Sequence, residues 1–141
     1  MIRDANGLEI LDRARCLELL ATAHVGRIAL SMGALPVVLP VNFAMLGEDI
    51  LIRTATGSKL NAAATNSVVA FEADRVDAVY HSGWSVLAQG VASEITDPVE
   101  LEQAAEVPLA PWSGSDGHYL RVTTQLLSGR RLDPGGGRGG E

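Results

Sequence analysis

A chain of 141 residues with 47% hydrophobic content has the material for one packed domain, and its formal charge of −6, with no basic run, argues against a broad nucleic-acid-binding surface. Only 4% of the residues are aromatic, so the core must be aliphatic, and the single cysteine, Cys16, can form neither an intrachain disulfide nor a zinc site, which fits a reducing cytoplasm. The opening "MIRDANGLEILDR" is charged throughout and holds no signal-peptide core, and the longest apolar run, around Leu35 to Leu46, falls short of the ~18 residues a membrane helix needs.

Leu11 to Thr22 reads as a helix, with Ile10, Ala14, Leu17 and Ala21 at helical spacing, Asp12 as N-cap and Cys16 as a small apolar filler. The period then changes to two. Arg27 to Ser31 alternates, Met32-Gly33 turns, and the next strand places Val37, Leu39, Val41 and Phe43 on one face and Val38, Pro40, Asn42 and Ala44 on the other. Pro36 and Pro40 each remove a backbone donor, so this strand must lie at an edge, a bulge or a barrel corner. After "LGED", Ile50 to Thr54 forms a third short strand, and the three make an antiparallel meander.

Ser58 to Thr65 reads as a short helix with Ser58 as N-cap and Lys59 in its first turn. Val68 to Glu72 is a strand, "ADRVDAVYHSG" an irregular connection, and Trp84 to Ile95 a long strand that Gly90 should bulge or bend. Asp97-Pro98-Val99-Glu100 announces a helix with an N-cap, a proline in the first turn and a capping box. "PLAPWSGSDG" is a loop, and His118 to Leu127 returns to β with Leu120, Val122, Thr124 and Leu126 on one face. Residues 1–133 form the single domain, and the glycine-rich 134–141 tail lacks core-forming residues and is expected to be disordered. The expected fold is mainly β: about six antiparallel strands with a few short helices, closed into a small barrel that leaves no exposed edges.

One stretch carries chemistry. "IRTATGSKL", residues 52–60, holds Lys59, the only lysine of the chain, with Arg53, Thr54, Gly57 and Ser58 close by. A strand end that enters a helix presents free N–H groups and the positive end of a dipole, Gly57 permits close backbone approach, Ser58 and Thr54 can donate, and Arg53 and Lys59 bring charge. These are the parts of a phosphate clamp. A P-loop is excluded, because Ile52 and Leu60 stand where that motif needs a glycine and a hydroxyl. The plainer alternative is that Ser58 merely caps a helix and Lys59 is solvated. His24, His81 and His118 are too scattered for metal-ligand spacing, so no metal site is expected, and Glu72, Asp74 and Asp77 read as solvated charges or partners of Arg75.

The ordered set "VGRIAL", "LPVNF", "IRTATGSKL", "VAFEAD", "GWSVLAQG" and "YLRVTTQLLSGRR", following an N-terminal helix, resembles the pyridoxamine 5'-phosphate oxidase-related, FMN-binding split-barrel proteins over roughly residues 8 to 133. The resemblance implies a six-stranded antiparallel split barrel that binds FMN as a homodimer with the cofactor at the subunit interface. It makes Arg53, Thr54, Ser58 and Lys59 the phosphate clamp. It places Pro40, Val41 and Asn42 along the isoalloxazine ring and Trp84 and Ser85 near the flavin. Arg130 and Arg131 would reach a flavin held mainly by the other subunit. The implied activity is hydride transfer with a small-molecule substrate, and no catalytic side chain is singled out. The full basic and histidine set for gripping pyridoxamine phosphate is not found, so that substrate does not follow. A deazaflavin (F420) is the alternative cofactor. Its long anionic tail would reward a groove built from Arg27, Arg75, Arg121, Arg130 and Arg131, and this lysine-poor chain ranks behind FMN on that count. A non-catalytic flavin-sequestering protein and a heme-binding protein are the remaining alternatives.

Overall fold

The computed structural model describes residues 1–55, 58–109 and 118–132; Gly57, the 110–117 part of the expected loop and the glycine-rich tail lie outside the described residues. In chain order the elements are β1 (Glu9–Leu11), α1 (Arg13–Thr22), β2 (Val25–Met32), β3 (Leu35–Leu46), β4 (Asp49–Thr54), α2 (Lys59–Ala64), β5 (Ser67–Asp77), β6 (Ser82–Glu94), α3 (Pro98–Glu106), β7 (His118–Val122) and β8 (Leu126–Leu132). The strands pair in the order β1-β8-β6-β5-β2-β3-β4-β7, and β7 also pairs with β6. That last pairing closes a ring of six antiparallel strands, β2 to β7. The remaining two, β8 and β1, extend the sheet beyond the ring from one edge of β6.

The expected meander is present. Met32 and Leu35 flank a two-residue turn in which Gly33 and Ala34 both have positive φ, as a tight hairpin of right-handed twist requires. The core lies inside the ring. Phe43 and Phe71 meet edge to face at 4.7 Å, surrounded by aliphatic residues such as Ile28, Ile50, Ile52, Leu120 and Val122, all nearly or fully buried. A second, smaller cluster of Leu51, Ile95, Ala104, Leu109 and Tyr119 sits on the outer side of β4 and β7, beneath α3.

Several expectations need correction. Helix α1 starts at Arg13, and its buried face is Cys16, Leu19 and Leu20; Ala14 and Ala21 are exposed and Ile10 belongs to β1. Strand β5 does not stop at Glu72. Ala73 to Asp77 pair without a break with Ser82 to Val86, so most of the expected irregular connection is a long hairpin closed by residues 78–81. The single C-terminal strand is two strands, β7 and β8, which puts Arg130 and Arg131 in a paired strand; Thr124 is buried while Leu126 is 65% exposed. At α3, Asp97 caps the Glu100 amide at 3.0 Å, but the Glu100 carboxylate turns to Arg121 and does not complete a capping box. Gly90 marks a change of partner and not a bulge. Strand β6 pairs with β8 up to Gln89 and with β7 from Ala92, while its register with β5 runs on unbroken. Thr123 fills the fork, and a Cβ on Gly90 would fall 1.9 Å from the Thr123 carbonyl oxygen. Among the described residues no helix is long and apolar enough to cross a membrane.

Candidate functional site

The split in the barrel follows from where β3 and β4 stop pairing. They are in register from Leu46–Asp49 to Phe43–Ile52, and beyond that point they diverge. The amide of Phe43 donates to the His24 carbonyl on the β2 side at 3.0 Å. Backbone donors alternate sides along a strand, so Pro36 and Pro40 place their missing N–H groups on the other side, where β3 has parted from β4. The gap is a cavity of about 180 Å³ lined by Leu39, Pro40 and Val41 on one lip and by Arg53, Thr54, Ala55, Ser58 and Leu60 on the other. One wall is apolar, and the other carries a guanidinium and two hydroxyls.

The polar groups on the second lip differ in how they are held. Ser58 caps α2 by accepting from the Asn61 amide at 2.9 Å, which leaves its own hydroxyl proton available to a ligand. Thr54 is 5% exposed, and its hydroxyl faces the Asn61 side-chain oxygen at 3.3 Å and the His118 carbonyl at 3.4 Å, so its single proton is directed into the fold. Arg53 leaves the strand on the opposite side from Thr54, lies 5.9 Å from the Tyr119 ring centroid and donates to the Leu109 carbonyl at 3.3 Å. Its position is therefore set by the outer cluster under α3. Lys59 is exposed in the first turn of α2, and Asn42, half-buried, lies one residue beyond the Pro40–Val41 lip.

The other expected site residues gather elsewhere. Strands β5, β6 and β8 run past the end of the barrel, and on this overhang Arg75, Asp77, Ser82, Gly83, Trp84, Arg131 and Leu132 line a cavity of about 380 Å³. A neighbouring cavity of about 340 Å³ is lined partly by His81, Trp84, Ser85 and Arg130. Within one chain, then, the structure brings Pro40, Val41, Arg53, Thr54 and Ser58 to one cavity and Trp84, Ser85, Arg130 and Arg131 to the overhang. Arg130 is engaged, with its Nε 3.1 Å from Asp4. Burial works against ionisation of Asp4, but the amides of Leu8 and Asn6 and the Arg130 guanidinium outweigh it and hold the carboxyl below its ordinary value.

Of the five arginines that a deazaflavin groove would need, three are spoken for. Arg130 pairs with Asp4. Arg27 lies 3.2 Å from Glu72 and 3.5 Å from Asp74, and Arg121 joins Asp49 at 3.2 Å and Glu100. The carboxyl of Glu72 is pushed up to about 7 by burial, and then by the Asp74 carboxylate beside it, against the pull of Arg27. Glu72 and Asp74 thus answer to Arg27 and not to Arg75.

Sequence reasoning missed the group that ties the β4–α2 lip to the barrel. The Asn61 amide donates to Glu94 at 2.9 Å, and the His118 ring nitrogen approaches the same carboxylate oxygen at 3.4 Å. The Asn61 bond, opposed by partial burial and helped by His118, holds the Glu94 carboxyl below its ordinary value. Thr54, Asn61, Glu94 and His118 link β4, α2, β6 and β7, and Thr54 is the one of the four that lines the cavity. Only the N3 position of Asn61 relative to Ser58 was a signal, and it points to capping, not to a link between strands.

Comparison with known proteins places these features. The family model described as pyridoxamine 5'-phosphate oxidase matches residues 12–131. An uncharacterized protein of Mycobacterium tuberculosis is 36% identical over 128 residues, covering 86% of this chain and 84% of that protein. The FAD binding protein from Mycobacterium smegmatis superposes with a TM-score of 0.77 at 36% identity, over 88% of this chain and 97% of its own. A conserved protein of unknown function from Corynebacterium diphtheriae gives a TM-score of 0.74 at 31% identity, over 89% of this chain and 98% of its own.

Proposed function

The chain belongs to the pyridoxamine 5'-phosphate oxidase family, and from that premise we propose that it binds FMN through the flavin phosphate at the β4–α2 lip, as a homodimer that transfers hydride between the flavin ring and a small molecule. The observation that carries this reading is the two-sided cavity of the split, apolar along Leu39 to Val41 and, on the other lip, bearing the Arg53 guanidinium and the Thr54 and Ser58 hydroxyls. Both halves suit a cofactor with an apolar ring and a charged tail. When bound, a flavin supplies the hydride acceptor and donor, so the protein needs to bind, orient and exclude water, and no nucleophile is required.

Each residue has a task on this reading. Arg53, held against Tyr119, offers a fixed fork to phosphate oxygens. Ser58 donates its hydroxyl while capping α2, and Lys59 adds a point charge from solvent. Pro40 and Val41 present a flat, donor-poor edge to the ring, and Asn42 lies next along the same strand. Thr54 positions the lip through Asn61 and His118. The homodimer is supported by size and by surface. At about 180 Å³ the cavity falls below the ~300 Å³ at which small-molecule sites usually begin, so a flavin would be enclosed only with help from a second chain. The outer face of the barrel also leaves Val38, Val68, Leu87 and Val91 exposed on β3, β5 and β6. In such a dimer, Trp84, Ser85, Arg130 and Arg131 of one protomer would complete the site of the other.

FAD is a second reading, favoured by the 36%-identical FAD binding protein. A deazaflavin is disfavoured because Arg27 and Arg121 are already ion-paired. Purified protein should show flavin absorbance bands and bind FMN; a Soret band in their place would turn the reading to heme. Arg53→Ala combined with Lys59→Ala should weaken FMN about 100-fold while changing riboflavin, which lacks the phosphate, far less. Equal losses for both ligands would remove the phosphate assignment. Failure of reduced, flavin-loaded protein to pass electrons to any of a panel of acceptors would leave a flavin-sequestering protein.

A further inference from the structure

The outward face of β2, β3, β5 and β6 is uncharged except at one spot. Opposed residues of a sheet project to the same side, and in register Pro40, Arg27, Glu72 and Leu87 stand side by side across the four strands. The neighbouring row, Val38, Ala29, Ala70 and Gln89, carries no charge. Asp74 lies two residues past Glu72 on β5 and so shares its side of the sheet. One guanidinium nitrogen of Arg27 lies 3.2 Å from Glu72 and 3.5 Å from Asp74. The three line a shallow cavity of about 290 Å³ together with Val38 and Leu87. On the outward side of these four strands they are the only charged groups among the described residues. Beyond β6, Arg130 of β8 stands two strands from Asp74 and is bonded to Asp4.

A second copy of this chain fits the face on two grounds. An isologous two-fold contact sets one patch against itself, so the patch must complement itself. Here apolar side chains can meet apolar side chains, and the guanidinium of one copy can meet the carboxylates of the other. Pro40 also belongs both to this face and to the lip of the split, so a copy seated here reaches the small cavity that needs a second chain to enclose a flavin.

Charge in such a contact does not balance. However the pairs are shared, two guanidiniums face four carboxylates. A carboxylate taken out of water without a partner carries a steep desolvation penalty, and neighbouring carboxyls in a dry site do not both stay ionised. We propose that this face is the homodimer contact and that assembly takes up one proton per protomer, shared by Glu72 and Asp74, so that the dimer is tight at neutral pH and below and loosens in alkali. The linkage rests on the homodimer proposed above and adds its control by pH. Its working range follows from the free protomer, where burial, and then Asp74, push the Glu72 carboxyl up to about 7 against the pull of Arg27. Below about pH 7 the protomer already holds the proton, assembly takes up none, and affinity is level. Above about pH 7 the proton has been released, each dimer must recover two, and affinity falls as pH rises.

Fluorescence-detected sedimentation of the purified full chain, from micromolar to nanomolar concentration and from pH 6 to 9, reads the dissociation constant. It should be level up to about pH 7 and rise at least about tenfold by pH 9. Glu72→Gln keeps the shape of the protonated acid, and Asp74→Asn leaves one carboxylate per guanidinium. Each should flatten the profile and hold the dimer at pH 9 within about threefold of the wild type at pH 6. Arg27→Gln strips the counter-charge and should weaken the dimer at pH 9 about tenfold further. Circular dichroism checks that each variant folds, and either carboxamide variant alone is decisive. A dimer that stays intact, or dissociates equally, at every pH overturns the proton linkage and leaves the homodimer standing. A pH dependence that survives in both carboxamide variants also overturns it, since another group then carries the proton. A chain that is monomeric throughout overturns the linkage and the homodimer together. FMN titrated into the same samples judges the cofactor separately: a pH-linked dimer that binds no flavin keeps the linkage and drops the flavin reading.

Discussion

At the split between β3 and β4, the polar side chains are already occupied in holding the fold: Ser58 caps a helix, Thr54 faces Asn61 and the His118 carbonyl, and Arg53 leans on Tyr119. On the overhang of β5, β6 and β8, the Trp84 indole and Arg131 have no such employment among the described residues. The first region is braced before any ligand arrives, so binding there costs little ordering of side chains. The second lies open along its cavity, and its long arginines, Arg75 and Arg131, would have to be ordered by any group that binds there. Both regions hang on one strand, because β6 carries Glu94, bonded to Asn61 of α2, at one end and Trp84 on the overhang at the other.

The largest expected effect therefore comes from disturbing β6 where it changes partners. Gly90→Ala sets a methyl group against the Thr123 backbone and should destabilise the protein by about 3 kcal/mol, seen as a fall in thermal midpoint of roughly 10 °C. Both regions should lose ligand affinity together; loss at one alone would mean that they are not coupled through this strand. A smaller effect is expected from Thr54→Val, which keeps the shape and removes the hydroxyl. Its hydrogen bonds are long, so the stability loss should be about 1 kcal/mol, with FMN affinity changed by less than about threefold. A large loss of FMN affinity at unchanged stability would show that Thr54 serves the ligand directly, and the contrast between braced and open regions would weaken.

The smallest effect concerns pH. The carboxyl of Glu72 is raised from 4.5 to about 7 in the fold, mainly by burial and by Asp74. The folded state thus holds a proton that the unfolded chain has released, and this contribution to stability is full below about pH 4.5 and lost as pH rises through about 7. Glu72→Gln should flatten the fall of the melting temperature between pH 5 and 8 by roughly 1–2 °C, kept small by solvent at this half-buried site. An unchanged profile would mean that Arg27 compensates fully.

How legible each region was in the sequence follows from the same contrast. The braced region lies in one short stretch, where an N-cap serine, a strand end and the sole lysine can be read locally, and the barrel's meander announces itself by alternation and turn residues. The overhang is invisible that way. Arg75, Trp84 and Arg131 are far apart in sequence and meet only through the register of two strand pairs. Strand β5 seemed to end at Glu72 because arginine and aspartate interrupt its apolar alternation, yet past the barrel's end Arg75 and Asp77 line a cavity and the pairing continues. Strands β7 and β8 read as one because Thr123-Thr124-Gln125 contains neither glycine nor proline. The buried face of α1 was misplaced because alanine spacing matched a helix as well as Cys16, Leu19 and Leu20 did, and only the partners of the helix decide between them.

The prolines of β3 have a consequence beyond the cavity they border. A barrel opened along one seam offers a row of backbone donors and acceptors that any stray extended segment could pair with, the usual route to aggregation. Pro36 and Pro40 break that row where β4 turns away, since a strand docking there would find alternate donors missing. The seam keeps its cavity and stays closed to another backbone. Replacing Pro40 by valine would test this at high concentration, where the seam's resistance to strand invasion should be lost and light scattering should rise.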